Sequence, residues 1–149
     1  MWRKPPPRFD DAFFVWLEEM IEVVDCQFVS RGCLRDSDCS RIEERLWFSL
    51  PEDIRRFHRR YTPWEVRHDW SDWDETTQRI RATTGINLPL VPIDNRSDSS
   101  SGYDTVAAVE SSDSYRVIFF KRPTSEVRFF RNLRRYYIAE VLGEIRLSQ

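Results

Sequence analysis

Side chains able to do metal or covalent chemistry are sparse in this chain and badly placed for it. Cys26, Cys33 and Cys39 lie close together, but the two histidines, His58 and His68, sit well away from them. Tetrahedral zinc would need a fourth ligand drawn from Asp36, Asp38 or His58 in an unusual arrangement, so no metal site is expected. An odd number of thiols also argues against a disulfide framework. His58 stands between Phe57 and Arg59, and His68 beside Asp69; each is expected to be a surface or half-buried histidine rather than a catalytic base. Ser99, Ser100 and Ser101 have no base near them in sequence, so no nucleophile with its activator can be assembled. Glycine-rich phosphate loops, His-Glu-x-x-His and Cys-x-x-Cys are all missing from the sequence. The expectation is a protein that is not an enzyme and holds no cofactor.

Two patterns suit binding instead. In WEVRHDWSDWDE, residues 64–75, Trp64, Trp70 and Trp73 stand among Glu65, Asp69, Asp72, Asp74 and Glu75. Tryptophan is enriched at interface hot spots, and flanking acids steer basic partners. Such a surface suits a basic protein, because its carboxylates mimic phosphate charge. The plainer alternative has the tryptophans pointing inward and the acids forming a solvated edge. Tyr103 and Asp104, just past a polar loop, complete the candidate partner-binding set. The second pattern is arginine: Arg55, Arg56, Arg59 and Arg60 in one segment, Arg128, Arg131, Arg134 and Arg135 in another. Nucleic-acid binding would use such faces. The chain is acidic overall, however, and solvated helix faces with internal pairs such as Glu52–Arg56 account for them more simply.

The elements that must carry these residues follow from apolar spacing. Residues 1–8, with Pro5, Pro6 and Pro7, form an extended arm. Phe13, Trp16, Leu17, Met20, Ile21 and Val24 recur at helical spacing behind Asp10 and Asp11, acids that suit a helix start. A short helix through Ile42 and Leu46 comes next, capped by Asp38 or Ser40. Ser49 and Glu52 form a capping-box pattern with Pro51 in the first turn, and Ile54, Phe57 and Tyr61 line one face of the helix that follows. Thr62-Pro63 stops it. WEVRHDW then alternates as a strand does, and Thr76–Thr84 is a weaker strand candidate. INLPLVPI carries Pro89 and Pro92, so it is an edge strand or an extended segment. Residues 94–102 are expected to be a mobile polar loop. YDTVAAVE and YRVIFFK are the clearest strands, joined in a hairpin by SSDS; RPTSEVRFF holds a last short one. A closing helix runs through Phe130, Leu133, Tyr137, Val141 and Ile145. Helices, then four to six short strands, then a helix predict an α+β fold: a mostly antiparallel sheet with helices packed on one face.

A chain of 149 residues, 40% of them hydrophobic, is the size of one domain. Residues 9–149 are therefore expected to form a single unit behind the arm. No apolar run reaches the roughly 18 residues of a membrane span, and the proline-rich, acid-interrupted start is unlike a signal peptide. A cytoplasmic protein with no membrane partner is expected. The net charge of −2 hides a segregation: residues 63–115 are strongly acidic and residues 116–149 basic. Such asymmetry bears on partners and internal pairing.

The block IEERLWFSLPEDIRRFHRRY resembles the N-terminal signature of the SUKH superfamily. Ile42, Glu43 and Leu46 match its first helix, Leu50, Pro51 and Asp53 its Leu-Pro-x-Asp, and Phe57 and Tyr61 its aromatic anchors. Downstream, PLVPIDN and GYDTVAAVESSDSYRVIFF resemble the family's strand, loop and hairpin. The family's Asn-Gly or Gly-Gly after the Tyr-bearing helix is replaced here by Thr62-Pro63-Trp64, the mark of a divergent member. The resemblance implies a binding module: an immunity protein that neutralises a polymorphic toxin, often a nuclease, by stoichiometric occlusion. A viral branch that blunts host defences is the alternative it implies within the same fold. Fungal members of the family act as regulatory scaffolds.

Overall fold

A computed structural model of the protein, describing residues 3–24, 49–61, 71–97 and 102–143, has a four-stranded antiparallel sheet at its centre. Before the sheet come α1 (Asp11–Val24), α2 (Glu52–Arg60) and α3 (Ser71–Thr84). The strands β1 (Leu90–Ser97), β2 (Gly102–Ser111), β3 (Ser114–Lys121) and β4 (Glu126–Phe130) lie side by side in chain order, and α4 (Leu133–Val141) follows. The α+β class and the helix–strand–helix order are as expected from the sequence.

Pairing and alternation decide which side chains share a face. Thr105 lies opposite Phe119, Ala107 opposite Val117, and Val91 opposite Ala107 on one face. On the other, Val106 lies opposite Ile118 and Leu90 opposite Ala108. β2 is buried continuously from Gly102 to Val109, so neither of its faces meets water. That explains an apolar run too dense for a half-exposed strand. The first face joins Phe13, Phe14, Leu17, Leu50, Ile54, Phe57, Tyr61 and Tyr137, from α1, α2 with its two flanks, and α4, into the larger core. The second face joins Leu90, Val106, Ala108, Ile118 and Phe120 to Ile80 of α3. Three layers result, helices–sheet–helix, where helices on a single face had been expected. The departure is α3, which alone among the described helices backs the second face.

α3 also replaces the strand expected over Thr76–Thr84. Its threonines favour strand, but its buried positions, Thr77 and Ile80, are three apart, the spacing of a helix and not a strand. Asp74 and Glu75 lie near its positive end. Gly85, at φ 73, ends it in the left-handed conformation, its N–H bonded to the Arg81 carbonyl at 2.9 Å. A second correction concerns residues 94–97, expected in a loop. They extend β1, with Asn95 opposite Asp104 and Ser97 opposite Gly102. Backbone pairing to β2 needs no apolar side chains, so composition hid it. β1 is an edge strand of the described sheet, as Pro92 required, with a register shift between Pro92 and Asp94.

α1 begins where Asp10 Oδ1 accepts the Phe13 N–H at 3.3 Å. α2 is not started by the expected capping box. Pro51 takes the cap position at φ −56 and ψ 148 with no side-chain cap, and Glu52 and Asp53 supply negative charge in the first turn. α4 starts at Leu133, later than the apolar stripe suggested, because Phe130 belongs to β4 and Asn132 caps the helix by accepting the Arg135 N–H at 2.9 Å. The N-terminal arm is held at two carbonyls: the Trp16 indole donates to Arg3 O at 2.8 Å and Arg134 Nε to Pro6 O at 2.8 Å. Among the described residues no helix is long and apolar enough to cross a membrane.

Candidate functional site

Of the partner-binding residues named from sequence, Trp64, Asp69 and Trp70 lie outside the described residues. Asp72 and Trp73 fall in the first turn of α3, and Asp74 and Glu75 directly after them have exposed side chains. Helix geometry thus brings two of the expected acids to solvent at one helix end. Tyr103 and Asp104 are corrected: both are only 2% exposed. The Tyr103 ring packs on Phe119 at 4.6 Å, and its hydroxyl donates to Glu140 Oε1 at 3.2 Å. Asp104 Oδ2 lies 3.7 Å from Arg122 Nε. The burial of β2 on both faces places both side chains inside the fold.

In the Leu-Pro-x-Asp block, Ile42, Glu43 and Leu46 lie outside the described residues, and each remaining residue has a visible task. Leu50 and Phe57 are core residues, and Phe57 stacks on Tyr137 at 5.4 Å. Pro51 caps the helix. Asp53 Oδ2 accepts the Tyr115 hydroxyl at 2.6 Å, and that hydroxyl accepts the Leu133 N–H at 3.0 Å. One phenol therefore ties the starts of α2 and α4 to β3. Burial, and then the bond to Asp53, hold the Tyr115 hydroxyl far above its ordinary pKa. Tyr61 closes a second knot: its hydroxyl donates to Glu18 Oε1 at 2.7 Å, and Arg60 grips both oxygens of Glu18 at 3.0 Å each. This two-pronged contact is the strong form of an arginine–carboxylate pair. It raises the Arg60 pKa, and burial with the Glu18 bond raises that of Tyr61.

His58 was expected at or near the surface and is instead fully buried. Its Nε2 is 2.9 Å from the Pro92 carbonyl. A carbonyl can only accept, so Nε2 carries the proton, and Nδ1 has no hydrogen-bond partner among the described residues. Desolvation outweighs that bond and lowers the pKa to about 4. The imidazole is a neutral, buried peg between α2 and β1. Several arginines are likewise used inside the chain. Arg56 pairs with Glu52 at 3.3 Å, Arg134 holds the arm, and Arg79 donates to the Arg122 carbonyl at 2.9 Å. A shallow groove of about 220 Å³ between the arm and α1 is lined by Arg3, Lys4, Val15, Trp16 and Glu19, with Arg3 paired to Glu19.

Sequence reasoning missed Tyr115, Glu18 and Glu140. Glu140 left one signal, an acid inside the Tyr136–Val141 apolar stripe of α4. Tyr115 left none, since its partners lie 62 and 18 residues away. Cys26, Cys33, Cys39 and His68 lie outside the described residues, and no cluster of metal-ligating side chains occurs among those described.

Fold and site together define a three-layer α+β protein in which buried phenols, carboxylates and an imidazole serve as structural ties, and an acidic helix end faces solvent. Comparison with family models, curated proteins and solved structures gave no match.

Proposed function

We propose that this chain is a non-enzymatic, SUKH-like binding module of the cytoplasm that neutralises a basic protein, such as a toxin nuclease, by covering it one-to-one. The observation that supports this reading is that Leu50, Phe57 and Tyr61 share one core with the antiparallel sheet while Asp53 bonds Tyr115 of β3. The binding face under this reading includes the start of α3, with Asp74 and Glu75 steering the partner electrostatically. The internal use of Arg56, Arg60 and Arg134 favours this reading over nucleic-acid binding.

The test begins with affinity capture from the native host and continues with titration of the captured protein's own activity. Inhibition is expected to saturate at one chain per target. A D74R/E75R variant is expected to associate at least about tenfold more slowly at low salt, since rim charges act on the on-rate. Complete inhibition far below equimolar amounts would overturn the reading.

A further inference from the structure

We propose that two copies of this chain associate edge to edge through β4, antiparallel, joining their sheets. Strand order leaves β1 and β4 at the two edges of the described sheet. The two edges are finished differently. β1 carries Pro92, a register shift beside it, and the His58 imidazole on the Pro92 carbonyl. Proline, bulges and covering side chains keep an edge from recruiting another strand. β4 has no proline and pairs with β3 without a register shift, and its Phe129 is 51% exposed.

The side chains of β4 say which strand would fit. Glu126 and Arg128, opposite Lys121 and Phe119, share the face that carries the larger core; Val127 and Phe129, opposite Phe120 and Ile118, share the other. Consider a twofold antiparallel pairing centred on Val127. Glu126 of each copy then lies opposite Arg128 of the other, so one contact is made twice, as twofold symmetry demands. Opposite charges directly across a strand pair are favourable. On the other face Val127 meets Val127, and Phe129 lies diagonal to it, within reach of a large aromatic. Centring on Arg128 would set the two arginines against each other, so charge selects the register. The strand is self-complementary, and the occupant is a second copy of this chain.

A ladder of five residues buries less than the roughly 1,000 Å² of a lasting interface, so the dimer is weak, with a dissociation constant on the order of 100 µM. Sedimentation equilibrium of the full chain from about 10 µM to about 1 mM tests it. The wild type should pass from monomer to dimer across that range. E126R and R128E each replace two attractive pairs between copies by two repulsive ones, E126R also ending the 3.7 Å pair of Glu126 with Lys121 in its own chain, and each should weaken association at least about tenfold. The double variant E126R/R128E restores both pairs and should recover dimerisation. Both positions are exposed, and the wild-type experiment decides without any variant. A wild type monomeric throughout, single variants that dimerise unchanged, or a double variant that fails to recover would each overturn the proposal.

Discussion

Replacing His58 by glutamine should remove most of the loss of stability that acid imposes on the wild-type fold between pH 6.5 and pH 4. The buried imidazole has its pKa lowered from 6.5 to about 4, chiefly by desolvation. In the unfolded chain the same group titrates near 6.5. Across that window the unfolded state binds a proton that the folded state refuses. Stability therefore rises with pH through the window and is lost as pH falls through it. At about 1.4 kcal/mol per pH unit, the separation between 6.5 and about 4 is worth about 3 kcal/mol, a large part of a domain's usual margin. Glutamine keeps a side-chain N–H for the Pro92 carbonyl and does not titrate. Every other titratable group is common to both proteins, so the wild-type-minus-variant difference isolates the imidazole. Urea unfolding followed by tryptophan fluorescence at several pH values between 7 and 4 gives that difference. Parallel stability–pH curves for wild type and H58Q would refute the reasoning.

Three further outcomes are expected. Y115F removes the bonds to Asp53 and to the Leu133 N–H, and should cost about 2 kcal/mol in urea unfolding, since one bond is to a charged group. G102A puts a Cβ 2.2 Å from Arg122 Nη2, so the guanidinium must shift and its contact with the buried Asp104 is disturbed; a loss of about 1 kcal/mol is expected, read by thermal melts, and an unchanged melt would refute it. S125G relieves the one non-glycine residue at positive φ among those described, 57°, and should stabilise the fold by about 0.5 kcal/mol after the entropy of glycine is counted.

The amphipathic helices and the central hairpin were legible in the sequence because each is specified locally. α1 shows its face through Phe13, Leu17 and Met20, and the β2–β3 pair shows dense β-branched and aromatic runs. α3 was not legible, because its contact with the sheet rests on few side chains and its threonines speak for the other state; tertiary packing overrode propensity. The outer half of β1 was hidden for a related reason. Its residues pair by backbone, and composition carries no record of a ladder. Of the candidate site, the acids Asp74 and Glu75 were readable by charge, while Tyr103 and Asp104 were misjudged. Whether a strand is covered on one face or two depends on a helix elsewhere in the chain. The imidazole of His58 was misplaced on the same grounds: its arginine neighbours suggested water, but at helical spacing it shares the face of Ile54 and Phe57.

The arm is fastened to Arg134, a residue 128 positions further on. During synthesis, α1 emerges long before α4, which it packs against, with Phe13, Phe14 and Trp16 bare. Phe14 can meet Tyr61 once α2 is made, but Phe13 waits for Arg134 at the start of α4, so the growing chain carries bare aromatic surface until then. Slowing translation would prolong that hazard rather than relieve it, and expression of this protein should benefit from chaperones that hold aromatic segments until the last helix arrives.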